Sequence, residues 1–91
     1  MVSIIEKVAR HLGISPEELE REAIELWFEH KLALVEAEIT EILTKHDVRS
    51  IEELEESIRK GRIAEHPAWE DLIVLERLLK EKKKIIDALR S

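Results

Sequence analysis

Apolar residues recur along this chain at steps of three and four for most of its length, the period of helices that each bury one face. Ile4, Ile5, Val8 and Leu12 share a face ended by Gly13, which predicts a first helix from about Ile4 to Leu12. A second helix begins at Pro16 and meets no breaker until about Lys45; its stripe is Ile24, Phe28, Leu32, Val35, Ile39 and Ile42, the seam of a long helix pair. Leu26, Trp27, Ala33 and Leu34 lie outside that stripe, so the front of this helix is expected to be covered on more than one side. Ile51, Leu54 and Ile58 define a third helix over about Ile51 to Lys60, before Gly61. A fourth starts near Pro67 and runs into the C-terminal region, with Leu72, Leu75, Leu79, Ile86 and Leu89 as its seam, Lys82 interrupting it, and Ile73, Val74 and Leu78 widening it near the start.

The helix starts carry a common device. Ser3, Ser15 and Ser50 are each followed three residues later by a Glu (Glu6, Glu18, Glu53), the pattern in which a cap hydroxyl and a returning carboxylate satisfy backbone N–H groups that the first turn leaves unpaired. Pro16 reinforces the second start and Pro67 suits the fourth, since the first turn has no use for the N–H that proline lacks. The expected fold class is therefore all-α, with a short, a long, a short and a long helix forming an extended helical hairpin that oligomerises. Residues 1–91 read as a single helical domain, with 1–35 as its dimerisation part and 46–91 as a hairpin that grips a partner.

Composition sharpens this in three ways. The chain has 91 residues, too few for a large private core, so association is expected. It has no Cys, Asn, Gln or Tyr, and 40% of it is charged, a balance of many Glu and Lys with few thermolabile side chains that points to a thermophile. The net charge is −6, and residues 1–47 hold five Lys/Arg against eleven Asp/Glu. Nucleic acid is not an expected partner of such a surface, because affinity for it comes largely from phosphate neutralisation. No apolar run approaches the roughly 20 residues that span a bilayer, and no secretory leader pattern is present, so a cytoplasmic location is expected.

Chemistry is sparse. Three of the five Ser are helix caps, Ser57 sits on a charged helix without a nearby His, and Ser91 is the last residue of the sequence. His11, His30, His46 and His66 fall in none of the spacings of di-iron bundles or zinc sites; His11 and His46 sit at helix C-termini, where an imidazolium complements the helix dipole. No catalytic residue, cofactor site or metal site is expected, and the protein does not read as an enzyme.

The stretch around Val8 to Leu19 resembles the turn of a helix-turn-helix and the helical part of ribbon-helix-helix regulators. Its second helix exposes Glu17, Glu18, Glu20, Glu22 and Glu25 with Arg21 alone between them, which disfavours DNA. The whole chain resembles small helical proteins of archaea and thermophilic bacteria regarded as candidate antitoxins. The resemblance is carried by Leu12-Gly13-Ile14-Ser15 leading to Trp27-Phe28, by the S-x-E-E-L-E-x-x-I-x-x-G pattern from Ser50 to Gly61, and above all by His66-Pro67-Ala68-Trp69-Glu70-Asp71. It implies a homodimer that binds and neutralises a protein toxin, a ribonuclease or nucleotidyltransferase-like protein. On that reading Trp69, Leu72, Ile73 and Leu79 bind the partner; independently, because the stretch from Ala23 to Val35 is apolar on more than one side, a homodimer or higher oligomer is expected with Ile24, Trp27, Phe28 and Leu32 close to its contact. The alternatives are a self-assembling helical adaptor and, behind it, a DNA-binding regulator.

Overall fold

Four helices follow in chain order in the computed structural model, which describes residues 3–90: α1 (Ile4–Leu12), α2 (Pro16–Lys45), α3 (Ile51–Arg59) and α4 (Glu65–Leu89). Among the described residues there is no strand, and the expected all-α class is what the chain adopts. Ser91 lies outside the described residues.

The caps behave as their chemistry requires. The hydroxyls of Ser3, Ser15 and Ser50 accept from the backbone N–H of Glu6, Glu18 and Glu53 at 3.2, 3.0 and 3.1 Å. At Glu53 the returning carboxylate passes the cap and accepts from the N–H of Arg49 at 2.9 Å. Three helix ends share a second device, a left-handed residue after which an N–H reaches back five residues. Gly13 (φ 74°) lets Ile14 donate to the Ala9 carbonyl, and Gly61 (φ 73°) lets Arg62 donate to that of Ser57. At the end of α2 the left-handed residue is Asp47 (φ 52°), with Val48 donating to the Leu43 carbonyl. The sequence places this helix end near Lys45, where it falls, but not the left-handed turn that makes it, because the position holds no glycine; Asp is among the few residues that tolerate the conformation. The turn carries Val48 into the core.

The chain divides into two compact units, the first ending at Lys31 and the second beginning at Leu32. In the first, α1 and the front of α2 are joined by a short turn, and Ala9 is the one buried residue among those described. Ile4, Ile5, Val8, Leu12, Ile24, Leu26 and Trp27 are all exposed.

The second unit is a closed small bundle. The rear of α2 and α4 run antiparallel, joined near one end by Lys82 Nζ to Glu36 Oε1 (3.6 Å) and near the other by Asp71 Oδ2 to Lys45 Nζ (3.0 Å) and His46 Nε2 (2.7 Å). Val35 and Ile39 are buried from α2, Leu54 and Ile58 from α3, and Ala68, Leu72, Leu75, Leu78 and Ile85 from α4. Helices α3 and α4 approach closely, and each buries one small side chain, Ser57 and Ala68. Fully burying a leucine such as Leu54 or Leu75 contributes about 1.5–3 kcal/mol.

The seam of α4 differs from the sequence expectation. Leu78 and Ile85 are buried, whereas Leu79 and Ile86 are half-buried and Leu89 is exposed. The register follows from heptad spacing: Ala68, Asp71, Leu75, Leu78, Lys82 and Ile85 alternate by three and four, with two charged residues inside the series. The expected seam shares Leu75 and the interrupting Lys82 with this series, and its Leu72 is buried as well; the difference is that Leu78 and Ile85 turn inward where Leu79 and Ile86 were expected. The counterpart series on α2 extends likewise, from Val35, Ile39 and Ile42 to His46 at the next step of four.

Candidate functional site

The start of α4 is shaped by proline. A residue before proline is pushed out of helical geometry, and His66 is accordingly extended (φ −110°, ψ 122°), so the regular helix begins after it. The His66–Pro67 peptide is cis. Ala64 precedes α4 without a side-chain cap.

This irregular start faces α3 across an open cleft of about 610 Å³, lined by Glu55, Ile58 and Arg59 of α3 and by Glu65, His66 and Trp69. Arg59 Nη2 donates to Glu55 Oε1 at 3.4 Å, and His66 Nδ1 lies 3.7 Å from Glu70 Oε1. Both pairs are solvent-exposed and worth little to stability. The lining thus joins two apolar members, Ile58 and the Trp69 ring, to carboxylates and two basic groups.

The expected partner-binding residues separate here. Trp69, which lines the cleft, is 53% exposed and Ile73, one turn later on the same helix face, 57%. Leu72 is 3% exposed and packs in the core, because it sits beside the heptad series that α4 turns inward. Leu79 is half-buried. Of the expected oligomer residues, Ile24 and Trp27 are exposed, and Phe28 and Leu32 are half-buried; the Trp27 and Phe28 rings meet edge to face with centroids 5.2 Å apart.

One polar cluster was not foreseen as a unit. His46, expected to act on the helix dipole, pairs with Asp71, and Lys45 meets the same oxygen. The hydrogen bond from His46 first, then that from Lys45, hold the Asp71 carboxyl below the ordinary carboxylate range, against partial desolvation acting the other way. Both residues continue seam series, but each reads as an outward polar residue until the register that pairs them is known. Among the described residues no three His, Asp or Glu side chains converge as a metal site would require, and no helix is long and apolar enough to cross a membrane.

These features define a small all-α protein whose distinctive surface is an exposed apolar pair, Trp69 and Ile73, at a proline-shaped helix start. The chain belongs to the uncharacterized protein MJ0235 family, which it matches over residues 1–91. No curated protein and no solved structure matches it.

Proposed function

We propose that this chain is a non-enzymatic protein–protein interaction module, an antitoxin that dimerises through its front part and neutralises a toxin through the Trp69 face. The observation that carries the interaction reading is the pair Trp69 and Ile73, left in solvent beside a core that is otherwise closed over Leu72, Leu75 and Leu78. A large ring held half-exposed on a rigid helix is the kind of anchor in which interface energy concentrates. The antitoxin assignment is supported by the resemblance carried by His66 to Asp71, and the acidic surface suits a basic, RNA-handling partner. The Glu- and Lys-rich, Asn- and Gln-free composition favours a thermophilic, cytoplasmic setting.

The test is co-expression with the neighbouring gene. That gene alone should arrest growth, this chain should restore it, and Trp69→Ala should rescue poorly. In vitro, Trp69→Ala should lose about 2 kcal/mol or more of partner affinity while the melting temperature of the free chain changes little. A harmless neighbour, or rescue without a physical complex, overturns the antitoxin reading. It would leave the self-assembling adaptor, which the exposed apolar faces of α1 and the front of α2 favour.

A further inference from the structure

The first unit carries two unpartnered faces with the same helical spacing and opposite charge. On α1, Ile4, Lys7, Val8, His11 and Leu12 line one shallow groove; the first four follow steps of three, one and three, so they share a face. On the front of α2, Glu17, Glu20, Arg21, Ile24 and Glu25 line another, the first four at the same steps. The α1 face is apolar with Lys7 and His11 as its polar members. The α2 face is apolar at Ile24 and carries three carboxylates against one guanidinium, with Trp27 exposed one turn further on.

Neither face is covered within its own unit. Ile4 is 80% exposed, Leu12 59% and Ile24 49%, while Ala9 alone is buried among the described residues of the unit. A nine-residue helix is marginal in water without packing, and a unit of this size lacks the core to hold itself. Whatever covers α1 must offer an apolar helix face bordered by negative charge. The front of α2 has that chemistry, and a second copy brings it together with an α1 that needs the same cover.

We propose that two copies of this chain dock reciprocally, α1 of each seated on the front of α2 of the other, with Lys7 and His11 of one copy facing Glu20 and Glu25 of its partner. Such a two-fold arrangement uses each surface once per copy and closes on itself, so it gives a dimer rather than a filament. The proposal rests on the dimer reading above and specifies which faces make it.

The experiment uses three forms of the full chain in sedimentation equilibrium at low salt, with circular dichroism to check that helix content is kept. The wild type should dimerise, and its dissociation constant should rise with salt, since rim charges are screened. Lys7→Glu with His11→Glu places acid against acid, and Glu20→Lys with Glu25→Lys places base against base. Each double variant alone should dimerise at least about tenfold more weakly. An equimolar mixture should recover near-wild-type affinity as a heterodimer, because both reciprocal contacts then join opposite charges. A wild type that stays monomeric overturns the docking and the dimer reading together. A wild-type dimer that both variants preserve, or a mixture that fails to recover, overturns the docking while the dimer stands on other surfaces.

Discussion

Asp71 shows how one side chain is assigned by its surroundings. By sequence it is a helix N-terminal carboxylate; in the fold it accepts from His46 at 2.7 Å and Lys45 at 3.0 Å, and it ties α4 to the end of α2. Its carboxyl is held below the ordinary carboxylate range, lower than in the unfolded chain. Its stabilisation is therefore present above the unfolded pKa and is lost as pH falls through the depressed folded one. Asp71→Asn should cost roughly 1–3 kcal/mol at neutral pH, and the gap between variant and wild type should close in strong acid. Thermal melts across that range decide it, and a gap that persists unchanged in acid would show that the pair does not contribute through charge. Asp47 is the complementary case: it holds a left-handed conformation that glycine takes more readily, and the turn it makes brings Val48 inside.

At the scale of elements, the register of α4 is the main finding. A helix facing both α2 and α3 can bury any of several leucine rows, and the buried row is the one that contains Leu78 and Ile85. This places Asp71 and Lys82 beside Lys45 and Glu36 of α2. Leu78→Ala should therefore destabilise the second unit by about 2–5 kcal/mol, in the range for deleting a buried leucine side chain, and Leu79→Ala by distinctly less. Chemical denaturation of the two variants separates the registers, and the reverse order would restore the stripe through Leu79 and Ile86. The starts and stops of the helices were legible because caps are local chemistry. The α4 register was not, because a polar residue on a seam looks like an outward one until its partner is known.

For the whole molecule, the two units differ in how much they bury. The second holds a core from three helices, whereas the first buries Ala9 alone among its described residues. Local stability follows buried apolar contact. In dilute protein, amides of α1 should exchange with solvent far faster than those between Leu72 and Leu78, as hydrogen exchange read by mass spectrometry will show; equal protection in both would mean that the first unit holds itself without a large core.

What the sequence determined by itself was whatever depends on neighbours in the chain. The four helices follow from apolar period, serine caps and the glycines Gly13 and Gly61, and the acidic balance follows from composition. In the candidate site, the helix start at Pro67 and the importance of Trp69 were legible, since proline geometry and a lone large ring are visible without a fold. The tertiary structure decided between the two expectations for Leu72, seam or partner contact, making it core while Trp69 and Ile73 are surface; it decided that Ile58, Glu55 and Arg59 of α3 complete the cleft, and that His46 belongs with Asp71, 25 residues away. The physical reason is that periodicity fixes which residues share a face, but only packing against a second element fixes which of several apolar faces leaves water.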